Sequence, residues 1–322
     1  CRWSRGLHQR INCWGSHVHL AVFVKQRLSS SVAPALETLY NQFERRYDIA
    51  DPIQRVRDFT DPRDQEIVGL LSSGLAFGRV RTIMRTIDAV LDVVGSSPSS
   101  FVRHFKPSDH RDTLGAINHR WIRGPDILAF VWVIRQILER SGSIQNFFLQ
   151  GYDSNADDVG GAIDSFSERA LGFDCGLIYA SGQSRGADYF FSRPSKGSAC
   201  KRINLYLRWM VRQDCFDFGI WPTVSSSQLV IPLDTHIVRV GRCLGLTAYR
   251  TPGWSMARQI TSSLRRFDPI DPVKYDFALC HLSMEAECGF NEAYGSARCP
   301  LRSWCRPGRG RWPRSRRPSV PH

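Results

Sequence analysis

The chain has 322 residues, 42% of them hydrophobic, and a formal net charge of +13. That length and apolar content suit one large domain or two lobes, and no run reaches the ~18–20 apolar residues of a membrane span. The charge points to a polyanion partner, but it is unevenly spread: residues 1–32 carry +5 and residues 302–322 carry +7, which leaves +1 for residues 33–301.

In chain order, residues 1–32 hold five basic residues, no acid and only a short apolar run from Val18 to Val24, and are expected to be a poorly ordered basic segment. Helical spacing of Leu36, Leu39, Tyr40, Phe43 and Tyr47 opens the folded part near Ala35. Asp51-Pro52 and Asp61-Pro62 are cap-then-proline pairs that each start a helix. The second leads into an apolar helix with Ile67, Leu70 and Leu71, which turns small at Ser72, Ser73 and Gly74. Val80, Ile83, Ile87, Val90 and Val94 then form a regular amphipathic stripe closed by Gly95. Residues 101–150 continue as helices, Ile127–Leu138 being dense enough in apolar residues to be buried. Residues 151–192, polar and glycine-rich, predict a long connection with one helix near Ile163–Leu171. No sustained period-two pattern or β-α alternation occurs, so the fold class is all-α.

Two stretches carry the chemistry. In the first, a small turn with Lys196, Gly197 and Ser198 meets a helix starting near Lys201, whose Ile203, Tyr206, Leu207 and Met210 face inward. Free backbone N–H groups at such a helix start, with Lys196, Lys201 and Arg202 nearby, can grip a phosphate. In the second, Asp234 stands where a loop turns into a helix, Ile237, Val240 and Leu244 bury one face, and Gly245 supplies a left-handed stop. Taken alone, Asp234 reads as an N-cap and Lys201 as a surface lysine. Ser255 and Asp271-Pro272 predict the starts of two further helices. Ten cysteines in a chain this long are not a disulfide framework, and the crowding of Cys280, Cys288, Cys299 and Cys305 reads as a metal site in a reducing, cytoplasmic compartment. Beyond Cys305, residues 306–322 are rich in Arg and Pro and predict a disordered tail.

The Pro232-Leu233-Asp234-Thr235-His236 run, the Arg-rich helix ending in Leu244-Gly245-Leu246, and the turn before Lys201 resemble the helix-hairpin-helix (HhH-GPD) DNA glycosylase superfamily. Residues from about 35 to 305 look like an uncharacterised bacterial family related to it, of the endonuclease III-like and 8-oxoguanine glycosylase-like type. The resemblance implies a two-lobed helical domain over residues 33–305 and an N-glycosylase, with or without AP-lyase activity, acting on a flipped-out base in double-stranded DNA. It makes Lys201 and Asp234 the catalytic pair and gives Lys196, Gly197, Ser198 and Arg202 to the DNA backbone. Trp209 and Trp221 become base-stacking candidates, with core packing as their alternative. Ala199 stands where the superfamily hairpin has its second glycine, and the Lys201–Asp234 interval is longer than usual; the inserted stretch reads either as a loop or as part of the base pocket. The iron–sulfur members hold a [4Fe–4S] cluster on a C-terminal loop with a C-x6-C-x2-C-x5-C spacing. Cys299 and Cys305 match its end, Cys288 lies one residue upstream of its first ligand, Ser296 replaces its second, and Cys280 is the candidate fourth. Zinc on the same thiols, or no metal, are the alternatives. The expected assembly state is a monomer. A non-catalytic DNA-binding module and a metal-stabilised scaffold are the competing functions.

Overall fold

Proline and small polar residues decide where most of the helices begin. The computed structural model describes residues 30–44, 46, 49–179, 186–284 and 297–306. Along these run α1 (Ala33–Phe43), α2 (Ile53–Arg57), α3 (Pro62–Leu75), α4 (Val80–Val94), α5 (Pro98–His104) and α6 (Gly124–Ser141). They are followed by α7 (Ile144–Leu149), α8 (Gly160–Leu171), α9 (Lys201–Val211), α10 (Thr235–Leu244), α11 (Trp254–Leu264) and α12 (Asp276–Met284). Asp61 caps α3 by accepting from the Arg63 amide, with Pro62 as its first residue, and Ser143 caps α7 through the Asn146 amide. The pairings between extended segments among the described residues are two isolated bridges, His119 with Ile122 and Gln213 with Phe218. The fold is all-α, as the periodicity predicts, and no described helix is long and apolar enough to cross a membrane.

Two helix starts differ from expectation. α12 begins at Asp276 and not at Asp271-Pro272, because Asp271 is taken by the Arg212 guanidinium at 2.8 Å and residues 272–275 form a turn. α11 begins at Trp254 after Gly253, one residue ahead of the Ser255 cap. The N-terminal segment before residue 30 and the tail beyond 306 lie outside the described residues.

Helix α3 is buried along almost its whole length and packs on α2, α5 and α9. A Cβ at Gly69 would stand 2.8 Å from Met210 and 3.2 Å from Tyr206, so the bare glycine is what lets α3 and α9 cross closely. Glu66, buried on α3, accepts from the amides of Ile144 (3.0 Å) and Gln145 (2.6 Å) at the start of α7 and from the Trp221 indole (3.0 Å). A second association joins helices far apart in the chain. α1 packs its buried Leu36, Leu39 and Phe43 toward α12, and α12 packs against α10. Phe43 meets Phe277 edge-on at 6.5 Å. Between these two associations lies a cavity of about 650 Å³.

Candidate active site

Asp234 reaches the cavity because of how α10 starts. Its extended backbone (φ −112°, ψ −174°) points the carboxylate back over the first turn, where one oxygen, Oδ1, accepts from the amides of His236 (2.9 Å) and Ile237 (2.8 Å). Gly245, in the left-handed region at φ +74°, ends the helix. The N-cap reading of Asp234 is therefore correct, and the same side chain also lines the cavity. Capping uses Oδ1. The second oxygen, Oδ2, accepts from the Cys280 thiol at 3.4 Å.

Lys201, the first residue of α9, lines the same cavity. Its ammonium donates to the carbonyl of Ala76 at 2.8 Å, in the short turn between α3 and α4. The two residues singled out in the sequence, separated along the chain by a whole helix and an inserted loop, thus share one opening. The preceding hairpin is built as its sequence suggests. Pro194–Lys196 form a 3-10 turn, Gly197 follows in the left-handed region at φ +79°, and Ser195, Lys196 and Gly197 are exposed. Asp164 of α8 anchors the turn by accepting from the Ser195 hydroxyl at 2.7 Å. Cys200, a non-glycine residue at φ +49°, makes the corner into α9.

The floor of the cavity comes from α12, where Asp276, Cys280 and Met284 fall at i, i+4 and i+8 and all three line the opening. Burial pushes the Asp276 carboxyl up to about 6, against the pull of Arg208, whose guanidinium donates to it at 2.5 Å. Arg208 also donates to Asp217 at 3.2 Å, and Arg212 engages Asp214 (3.0 Å), Asp217 and Asp271. Burial works against the charge of Arg208, but Asp217 and Asp276 more than offset it and hold the guanidinium above its ordinary range. Asp51, near His281 at 3.8 Å, completes the acidic side.

An aromatic group extends outward from the cavity wall at Phe77. Phe77 lines the cavity and packs 4.8 Å from Trp121 and 5.3 Å from Tyr189. Trp121 is 49% exposed and Tyr189 37%. Trp121 shares the tip of a two-residue hairpin with Arg120; His119 and Ile122 exchange backbone hydrogen bonds of 2.9 Å below it. Arg120 holds φ +57°, a conformation that costs a non-glycine residue roughly 1–2 kcal/mol, and its guanidinium lies 4.7 Å from the Trp121 ring. His119 fastens this hairpin to the Phe77 turn and to α4, with Nε2 at 3.0 Å from the Phe77 carbonyl and Nδ1 at 3.0 Å from the Thr86 hydroxyl.

Several sequence candidates lie elsewhere. The Arg202 guanidinium is buried on the face of Tyr189, 3.4 Å from the ring centroid, donates to the Tyr189 carbonyl, and is pulled down to about 10 by burial. It is a structural arginine and does not offer itself to a DNA backbone. Trp209 and Trp221 are fully buried core residues that do not line the cavity; Trp221 packs on Phe148 and Tyr206 while its N–H goes to Glu66. Residues 212–231 contribute nothing to the lining, so the insertion is a loop that supplies Asp214 and Asp217 to the two arginines. Cys280 belongs to the cavity, and Cys299 and Cys305 are buried near the end of the described chain, where the Arg306 amide donates to the Cys243 carbonyl at 2.7 Å. Among the described residues no group of three or more His, Cys, Asp or Glu side chains is gathered to hold a metal; Cys288 lies outside them.

Sequence reading missed Cys280 as the partner of Asp234, and it missed Asp276, Phe77 and Trp121. A signal did exist for the first two: an acid and a thiol at i and i+4 within an otherwise apolar Phe277-Ala278-Leu279 helix mark a polar strip on a buried face.

Residues 51–285 match the family model described as "Protein of unknown function (DUF2400)". No curated protein and no solved structure matches the chain.

Proposed function

The chain belongs to the DUF2400 family, described as of unknown function, and on the make-up of its cavity we propose that it is a DNA N-glycosylase that removes a damaged base after drawing it out of the duplex. The observation that carries this reading is that Lys201 and Asp234 line one cavity of about 650 Å³, a size in the range of small-ligand sites. A base must leave the stack to be reached, at a cost of a few kcal/mol. The exposed Trp121 and Tyr189, packed on Phe77 of the cavity wall, with Arg120 against the indole, suit stacking on bases exposed by that extrusion. Lys196 and Gly197 in the exposed turn, and Arg239 on the cavity wall, supply backbone-binding chemistry. The passage of the chain from α1 to α12, with the cavity between two helical associations, agrees with a two-lobed glycosylase-like architecture.

In this reading the bond from C1′ to the base breaks and its electron pair leaves with the base, which takes up a proton. The Asp234 carboxylate stabilises the positive charge that develops on the sugar. Lys201 gives the departing base its proton, and its amine then attacks C1′; when the C1′–O4′ bond breaks, O4′ takes a second proton from the nitrogen and the C1′–N bond becomes a Schiff base. Asp276 and Arg208 fix the charge balance of the floor. A [4Fe–4S] cluster on Cys288, Cys299, Cys305 and a fourth thiolate is a separate expectation, read by visible absorbance of anaerobically purified protein; no step above passes through it.

The test is incubation with duplexes carrying 8-oxoguanine, uracil, thymine glycol or an abasic site, in the presence of borohydride. The expected result is base release from one of them and a reduced covalent protein–DNA adduct that disappears in Lys201→Ala. Salt-sensitive binding with no base release from any duplex would replace this reading with a non-catalytic DNA-binding module.

A further inference from the structure

We infer that Cys280 is the positioning residue for Asp234: its thiol holds Oδ2 of the carboxylate in the orientation the cavity chemistry requires. The inference rests on the glycosylase reading for its kinetic consequence but not for its geometry. Oδ1 of Asp234 is fixed by two backbone amides, at 2.9 and 2.8 Å. Those two bonds leave Oδ2 as the oxygen able to address a substrate, and among the described residues it accepts from the Cys280 sulfur at 3.4 Å. The donor is set on α12, which packs directly on α10, so the two ends of the contact are held by helices and not by a loop.

Across this contact the thiol is the donor and the carboxylate oxygen the acceptor. Met284 offers the proton a second acceptor, its sulfur 3.9 Å away, but a thioether accepts weakly and lies further than the carboxylate. A thiol is a weak donor, so it orients Oδ2 without neutralising the charge that Asp234 brings to the developing cation. Cys280 need not touch the substrate to do this.

The test joins a spectroscopic and a kinetic measurement on the full chain. The infrared S–H stretch of Cys280 is isolated as the difference between wild type and Cys280→Ala. Asp234→Asn should move that band to higher frequency, as expected for a weakened hydrogen bond; a band indifferent to Asp234→Asn overturns the inference. In single-turnover base release at saturating DNA, Cys280→Ala should slow the step roughly tenfold with DNA affinity unchanged, and Cys280→Ser, which keeps a donor, should recover most of the rate. A serine variant as slow as the alanine one, both folding normally, overturns it as well. If no duplex releases a base, the glycosylase reading fails and the infrared measurement alone decides the thiol–carboxylate pair.

Discussion

His119 shows how one buried side chain places an exposed one. It is 1% exposed, spans from the Phe77 carbonyl to the Thr86 hydroxyl, and carries Arg120 and Trp121 on the turn that follows. Burial, against the pull of nearby carbonyls, lowers its pKa below the ordinary value of 6.5. The folded protein thus prefers the neutral ring, and between the unfolded and folded values the unfolded chain binds more protons. His119 therefore contributes stability that is full above pH 6.5 and is lost as pH falls through its lowered folded value. Urea unfolding midpoints followed downward from about pH 7.5 should fall for wild type, and the part of the fall due to His119 should be missing in His119→Gln. Equal pH slopes for the two proteins would show that the ring does not titrate in this way. Local pattern in the sequence placed Lys201 and Asp234 at helix starts, and the resemblance, not that pattern, paired them. Trp121 could not be found, because its place depends on Phe77, which reaches it only through the fold.

The element most exposed to a single change is the junction of α3 with α7. Among the described residues Glu66 accepts from the buried Ile144 amide and Trp221 indole and from the half-buried Gln145 amide. Burial raises its carboxyl pKa while those three donors oppose the shift. Glu66→Ala should leave several buried donors without partners and cost about 3–5 kcal/mol in urea unfolding, whereas Glu66→Gln, which keeps an acceptor, should cost about 1–2 kcal/mol. Similar losses for both would mean that packing volume and not hydrogen bonding dominates there. Helices such as α4 were legible because a 3.6-residue apolar period and a closing Gly95 leave little choice. The start of α12 was misplaced because Asp271 has a better use than capping: Arg212, some sixty residues earlier, claims its carboxylate. The loop after α9 had two readings in sequence for the same reason. Its acids serve two buried arginines, Arg208 and Arg212, whose positions periodicity alone identifies only as helical.

At the scale of the whole molecule, the basic charge and the chemistry occupy different parts of the chain. Residues 307–322 hold five arginines, whereas the cavity belongs to residues 50–284. Removing residues 307–322 should weaken DNA binding and reduce the slope of log affinity against log salt by up to roughly 4–5, if each arginine meets one phosphate. The rate of base release at saturating DNA should not change. Fluorescence anisotropy across a salt series checks the first expectation, and an unaltered slope would mean that these arginines stay off the duplex. The packing of α1 on α12 has a consequence for folding. It joins segments more than two hundred residues apart in the chain, so it carries a loop-closure entropy that neighbouring helix pairs avoid, and the wall bearing Cys280 is set by contacts of long sequence separation.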